Sequence, residues 1–83
     1  GVKIVAYEPV EAIGTGNPDT PENAEKVASF IKEKNKDITN VLYGGSVTSE
    51  NVNSFTEMPN TDGVLVGGAS LDPLEFLRII KNA

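Results

Sequence analysis

The sequence has no cysteine, no histidine and no tryptophan among its 83 residues, and its aromatic residues are two tyrosines and three phenylalanines. Without cysteine there are no disulfides and no thiolate metal sites, and without histidine the commonest zinc ligand and the commonest acid/base catalyst are missing. We therefore expect neither a metal nor an organic cofactor, and we expect packing or association to stabilise the chain.

Positive charge is also scarce, because seven lysine and arginine residues stand against 12 acidic residues and the net charge is −5. This balance disfavours nucleic acid and anionic membranes as partners. A small anion remains possible as a ligand of backbone N–H groups. No segment approaches 18 apolar residues and no basic leader precedes an apolar run, so the sequence predicts neither a membrane span nor a signal peptide. We expect a cytoplasmic protein.

Three short apolar segments, 3–7, 41–43 and 64–66, have the composition of strands that are covered on both faces. Each is followed by a loop or a glycine turn and then by the start of a helix. Strict alternation of strand, loop and helix predicts an α/β fold with a parallel sheet and right-handed crossovers. No linker divides the chain, so we expect one domain over residues 1–83.

The helix starts are marked by a hydroxyl or carboxylate cap before proline or an acidic residue. They lie at Thr20-Pro21-Glu22, Thr48-Ser49-Glu50 and Asp72-Pro73-Leu74-Glu75, and the first helix should end near Asn35. The periodicity predicts that the solvent side of the first helix includes Glu25 and Lys32. The residues predicted to be buried are Ala24, Val27, Ala28 and Ile31 in the first helix, Val52 and Phe55, with Met58 less clear, in the second, and Leu74, Leu77 and Ile79 or Ile80 in the third.

Glycines and one acidic residue follow the strands, at the end where parallel α/β proteins place their ligand sites. Glu8 ends the first strand, and the pairs 44–45 and 67–68 follow the other two. Judged alone, Glu8 is typical of a solvated acid at a strand end, and glycine pairs are typical of turns. The loop over 9–20 is long enough to suggest a function.

The stretches AYEPVEAIGTG at 6–16, LYGGSV at 42–47 and LVGGASL at 65–71 closely resemble the triosephosphate isomerase family, in the order and spacing of that family. The resemblance covers the whole chain, from the sixth strand of the family's barrel to its last helix. It implies a partial TIM barrel of three parallel β/α units. We expect self-association to complete it.

The resemblance implies interconversion of D-glyceraldehyde 3-phosphate and dihydroxyacetone phosphate, a step of glycolysis and gluconeogenesis, with Glu8 as the catalytic base. It implies backbone contacts to phosphate at Gly14, Ser46, Gly67 and Gly68, whereas for Gly44 and Gly45 we favour a backbone role. Ser46 and Tyr43 also match the residues that latch a closing lid, although packing would explain both equally well. The matching lid residues are Pro9, Val10, Glu11, Ala12, Ile13, Thr15 and Gly16. Much of the family has tryptophan at the lid hinge, where this chain has Glu11.

Two family groups have no match here, the substrate-binding lysine after the first strand and the neutral histidine after the fourth. Losing such groups commonly lowers a rate by a factor of about 10² to 10³ each, so we expect the isolated chain to be very weakly active or inactive. Two alternatives stay open: a phosphate-binding or self-assembling fragment without turnover, and one piece of a split isomerase.

The expected partners are triose phosphate or phosphate ion. Exposed sheet edges and an apolar inner face also predict a homo-oligomer.

Overall fold

The computed structural model describes residues 3–12 and 14–83, which form one small sheet and its helices in the predicted alternation. The elements in chain order are β1 (Ile4–Tyr7), α1 (Pro21–Lys34), β2 (Asn40–Tyr43), α2 (Val52–Thr56), β3 (Gly63–Val64), a 3-10 turn (Gly68–Leu71) and α3 (Pro73–Asn82).

The strands form one parallel sheet in the order β1-β2-β3. Tyr7 of β1 is paired with Tyr43 of β2, and Tyr43 is paired with Val64 of β3. The carboxyl ends of the strands therefore meet at one edge, and the loops after them lie side by side. The predicted α/β class is confirmed, and the architecture is consistent with part of a TIM barrel.

Two of the predicted helix starts are present as capped turns. The Thr20 hydroxyl accepts a hydrogen bond from the Asn23 backbone N–H, 3.1 Å away, at the start of α1. The Asp72 carboxylate accepts from the backbone N–H groups of Leu74 and Glu75 at the start of α3. These contacts satisfy backbone donors that have no partner inside the first helical turn.

The second helix begins later than predicted, at Val52 and not within 48–50. The side chain of Asn51 explains the difference, because its Oδ1 accepts from the Thr48 backbone N–H at 2.8 Å and holds 48–51 in a turn. The third strand is also shorter than predicted. Ladder pairing is confined to Gly63–Val64, although the Leu65 backbone N–H still donates to the Tyr43 carbonyl at 2.8 Å.

The core lies between the sheet and the helices. Its buried members are Ala24, Tyr43, Val47, Val52, Phe55 and Ile79. The prediction for α3 was largely wrong: of its apolar residues Ile79 is buried, whereas Leu74, Leu77 and Ile80 are each more than half exposed. Helix α3 packs on α2 and on the 3-10 turn before it. These contacts leave Leu74, Leu77 and Ile80 exposed.

The polar side of α1 is less solvated than predicted. The Glu25 carboxylate accepts from the backbone N–H and the side-chain amide of Asn60. Lys32 Nζ lies 2.8 Å from Asp62 Oδ2, which also accepts from the Val41 backbone N–H at 2.9 Å. These side chains tie α1 to the turn that leads into β3. Within the described ranges, every helix is too short or too polar to cross a membrane.

Candidate functional site

A cavity of about 600 Å³ opens at the carboxyl ends of the three strands. Five residues predicted from the resemblance line it together, namely Glu8, Gly14, Ser46, Gly67 and Gly68. They come from the loops after β1, β2 and β3, so the parallel register of the sheet brings residues 60 positions apart in sequence into one site. Its wall also includes apolar side chains, among them Leu65 and Val66.

Glu8 is exposed to this cavity, directly after the last residue of β1. Its side chain lies against the backbone of Gly44, where a Cβ would be 3.0 Å from Glu8 Cγ and 3.3 Å from Glu8 Oε1. Glycine at position 44 therefore leaves room for the carboxylate in its present position. Sequence reasoning assigned Gly44 a backbone role without seeing this contact, because the two residues are 36 positions apart.

Gly67 and Gly68 border the cavity where β3 gives way to the 3-10 turn. A Cβ at either position would meet no protein atom within 4 Å. Packing inside the described chain thus does not require glycine here. Bare backbone facing open space allows a ligand to approach the N–H groups closely.

Two other lining residues have left-handed backbone conformations. Gly14 has φ +67°, and Ser46 has φ 54°, which is uncommon for a residue with a side chain. Such a conformation persists when the surroundings hold it, and here the Ser46 hydroxyl donates to the Ala12 carbonyl at 2.5 Å. Ser46 is therefore fixed to the loop that follows Glu8.

The loop over 9–20, which follows β1, is hydrogen-bonded near both ends to the end of β2 and the turn after it. At its start, Ala12 is buried and accepts the bond from Ser46. At its end, the Asp19 backbone N–H donates to the Tyr43 hydroxyl at 2.8 Å, and that hydroxyl donates to the Gly45 carbonyl at 2.5 Å. Ser46 and Tyr43 thus both contact the loop over 9–20.

The middle of this loop is held by local turns. The Ala12 backbone N–H donates to the Pro9 carbonyl at 2.9 Å, and the Thr15 hydroxyl donates to the Glu11 carbonyl at 2.9 Å. Val10 and Glu11 are exposed, and Gly16 lines the cavity with φ +75°. Ile13, which the resemblance also places in the lid, lies outside the described residues.

Sequence reasoning missed a second group of contacts behind the loop. Tyr7, Glu11, Asp19 and Asn23 line a smaller cavity of about 240 Å³. The Tyr7 hydroxyl donates to the Asp19 carboxylate at 3.2 Å. Burial, and next the negative charge of Asp19, raise the pKa of the Tyr7 phenol. Burial also raises the pKa of Tyr43, although the bond from the Asp19 backbone N–H partly opposes it. The sequence signal was a tyrosine just before Glu8 and a carboxylate just before the helix cap.

No cluster of three or more acidic side chains that would suit a metal ion occurs in 3–12 and 14–83. The residues that line the larger cavity provide one carboxylate, several glycine backbones without side chains and an apolar wall. This combination suits proton transfer on a small anionic molecule.

Comparison with known proteins agrees with the geometry. The family model described as triosephosphate isomerase matches residues 2–83. A triosephosphate isomerase of Mesomycoplasma hyopneumoniae (strain 7448) is 54% identical over 80 residues, which are 96% of this chain and 33% of the relative. The triosephosphate isomerase of Thermodesulfovibrio yellowstonii is 50% identical over 84 aligned residues, which cover 93% of this chain and 34% of the relative. That of Aquifex aeolicus is 48% identical over 85 aligned residues, which cover 94% of this chain and 34% of the relative.

The chain thus spans about a third of the length of the curated relatives that it matches. The family match extends over all three strands and all three helices, including every residue that lines the larger cavity. The chain belongs to the triosephosphate isomerase family.

Proposed function

We propose that this chain contributes the proton-transfer base and the phosphate cradle of a triosephosphate isomerase site, which interconverts D-glyceraldehyde 3-phosphate and dihydroxyacetone phosphate. The observation that carries the proposal is the convergence of Glu8 with Gly14, Ser46, Gly67 and Gly68 on one cavity. Residues 1–83 would act as one partial-barrel unit.

In this proposal the Glu8 carboxylate removes a proton from the carbon next to the substrate carbonyl, which leaves an enediolate, and returns it to the former carbonyl carbon. The hydroxyl proton of the first carbon moves to the former carbonyl oxygen, so that the aldehyde and the ketone are exchanged. A general base must lie within hydrogen-bond reach of the proton that it takes. Glu8 is exposed to the cavity and lies against Gly44, which supports a role as the base for a substrate bound there.

The phosphate would be bound by backbone N–H groups. Gly67 and Gly68 offer an open approach, and the left-handed conformations at Gly14 and Ser46 are of the kind that turns N–H groups toward an anion. Such dipoles bind an anion without a lysine or arginine, so the net charge of −5 does not exclude this role.

The loop over 9–20 would be the lid that excludes water during the reaction. Its ends are attached to Ser46 and Tyr43, and Ser46 also lines the cavity. Lid position and phosphate binding would therefore depend on each other.

Turnover by the 83 residues alone should be very weak, because they include no histidine to polarise the substrate carbonyl. A phosphate-binding role without turnover is the second candidate, and the empty space beside Gly67 and Gly68 favours it. A third is complementation, in which a separate polypeptide supplies the rest of the barrel.

The test is a coupled isomerase assay on highly purified chain, with Glu8→Gln purified identically. Glu33→Gln, an exposed α1 position with the same change in charge, is the matched control. We expect a small rate that Glu8→Gln abolishes and Glu33→Gln leaves intact. Equal rates in all three proteins would assign the activity to a contaminant and leave phosphate binding as the function.

Complementation is tested by mixing the chain with a polypeptide that corresponds to the other two-thirds of a relative. We expect the rate to rise by several orders of magnitude on mixing, and Glu8→Gln to prevent the rise. A mixture no faster than its components would count against a split isomerase.

A further inference from the structure

The side chain of Asp19 joins three parts of the fold. One carboxylate oxygen, Oδ2, accepts from the Tyr7 hydroxyl at 3.2 Å and from the Asn23 side-chain amide at 2.8 Å. The other, Oδ1, accepts from the Thr20 backbone N–H at 2.8 Å. The carboxylate thus connects the end of β1, the last residues of the loop and the first turn of α1.

The backbone of Asp19 extends this connection to β2. Its N–H donates to the Tyr43 hydroxyl, which in turn donates to the carbonyl of Gly45. Gly45 is followed by Ser46, which lines the larger cavity and donates to Ala12 at the other end of the loop. Two hydrogen bonds and one peptide bond therefore connect the Asp19 backbone to Ser46 at the rim of the proposed phosphate site.

A helix-capping role does not account for these contacts. Thr20 already caps α1, since its hydroxyl accepts from the Asn23 backbone N–H. The bonds from the Asn23 side chain and from the Tyr7 hydroxyl are made between side chains, so they satisfy no backbone N–H group of the helix. They lie where the loop leaves the strand that carries Glu8 and where it enters the helix.

We propose that the Asp19 carboxylate is a positioning residue that fixes the C-terminal end of the lid, and thereby Gly14 and Ser46, for phosphate binding. The role in phosphate binding rests on the proposed function, whereas the attachment of the loop end does not. Asp19 touches neither the substrate nor the base in this proposal and acts through Tyr7, Asn23 and Tyr43.

The test compares the full chain with Asp19→Asn, which keeps the size of the side chain but cannot accept hydrogen bonds at both oxygens. Asp37→Asn is the matched control, because Asp37 is exposed in the loop between α1 and β2 and loses the same charge. Asn23→Ala is a second variant that removes one partner of the carboxylate without a change in charge.

The first measurement is amide hydrogen exchange. We expect the amides at positions 19 and 20, which are hydrogen-bonded, to exchange roughly tenfold faster in Asp19→Asn and somewhat faster in Asn23→Ala, with the interior of α1 unchanged, because the loop end opens locally. Exchange of these two amides at the wild-type rate in both variants would overturn the proposal. An equal increase throughout the chain would also overturn it, because that would indicate a general loss of stability.

The second measurement is the ultraviolet titration of the tyrosines, with Tyr7→Phe used to assign the two phenols. Because the charge of Asp19 and its bond to the hydroxyl both help to raise the pKa of Tyr7, Asp19→Asn should lower that pKa and Asp37→Asn should not. An unchanged Tyr7 titration would mean that the carboxylate and the phenol are not in contact, and would overturn the proposal.

The third measurement is the affinity for inorganic phosphate, by calorimetry. We expect Asp19→Asn to bind about three- to tenfold more weakly, because a smaller share of molecules then has the lid end in place. Unchanged affinity with a loosened loop would overturn the positioning role. If the wild-type chain binds no phosphate, the proposed function fails, while exchange and titration still decide whether Asp19 fixes the loop.

Discussion

The ring of Tyr43 lies flat on the ring of Phe55, with the centroids 4.0 Å apart and the planes within 6° of each other. Both side chains are 1% exposed, at the centre of the core. The hydroxyl of Tyr43 nevertheless reaches the end of the loop, where it accepts from the Asp19 backbone N–H. One side chain therefore belongs both to the packed core and to the attachment of the proposed lid.

Replacing Tyr43 with phenylalanine separates these two roles. The ring can stay on Phe55, but the Gly45 carbonyl and the Asp19 backbone N–H lose their partner. We expect the free energy of unfolding in urea to fall by about 1 to 3 kcal/mol, since the lost hydroxyl bonds are buried or partly buried. Tyr7→Phe removes one hydrogen bond of 3.2 Å, to Asp19, and should lower the free energy of unfolding by less. Equal stability of Tyr43→Phe and wild type would contradict the argument.

Gly45 is the position where an added methyl group should disturb packing most. A Cβ there would lie 2.6 Å from the Tyr43 hydroxyl oxygen and 2.8 Å from Ala12 Cβ, and both neighbours are buried. We expect Gly45→Ala to lower the free energy of unfolding by about 1 to 3 kcal/mol, as overpacked substitutions do.

Gly68→Ala is the matched comparison, because its Cβ would meet no atom within 4 Å. Its stability should stay within about 0.5 kcal/mol of wild type, whereas its affinity for phosphate should fall. The two glycines thus distinguish a packing requirement from a ligand requirement. Equal loss of stability in both variants would remove that distinction.

Glu8, Gly44 and Asp19 show which features of the candidate site can be predicted from the sequence. The shared location of Glu8 and the glycines after the strands was predictable, because parallel strands bring their carboxyl ends to one edge. The contact of Glu8 with Gly44 was not, because it depends on side-chain direction across two strands. Asp19 resembles an ordinary acidic residue before a helix, and its partner Tyr7 is 12 positions away.

Helix α3 shows a different limit of sequence reasoning. Its amphipathic pattern predicted a buried apolar face, yet Leu77 is 55% exposed and Ile79 alone among its residues is buried. Periodicity reports that a face is apolar, but it does not report which element covers that face. The predicted start of α2 was wrong for another reason. The Asn51 side chain accepts from the Thr48 backbone N–H and holds the preceding residues in a turn.

Asp62 should make stability depend on acid pH. Burial alone would raise the pKa of its carboxyl, but the bonds from Lys32 and from the Val41 backbone N–H outweigh it and hold the pKa below the usual range. A carboxyl whose pKa is lower in the folded chain stabilises it above the unfolded pKa of about 3.9, and this contribution is lost as the pH falls through the folded pKa.

Asp62→Asn should therefore lower the free energy of unfolding by about 1 kcal/mol at pH 7, a modest value because the ion pair is partly exposed. The difference from wild type should shrink as the pH falls below about 4. Urea unfolding at several pH values measures it, with Asp37→Asn as the control for loss of one negative charge. A difference that does not vary with pH would show that the ionised carboxylate is not what stabilises the turn.

Self-association is the expected consequence of the apolar surfaces that the described residues leave uncovered. Leu74, Leu77 and Ile80 of α3 are more than half exposed, as is Ile4 on the inner face of the sheet. Patches of this kind favour association because burying them removes apolar area from water. Light scattering after size exclusion should give a mass that is a multiple of the 8.8 kDa chain.

The surface of α3 can be tested directly with Leu77→Glu, which places a charge in the middle of its apolar face. Phe30→Glu is the matched control, since Phe30 is similarly exposed but lies on α1. We expect Leu77→Glu to reduce the mass and Phe30→Glu to leave it unchanged, because a charge inside an interface must be desolvated. A wild-type mass of 8.8 kDa over the whole accessible concentration range would show that the exposed face does not drive association. An oligomer that both variants leave intact would instead place the interface on the sheet.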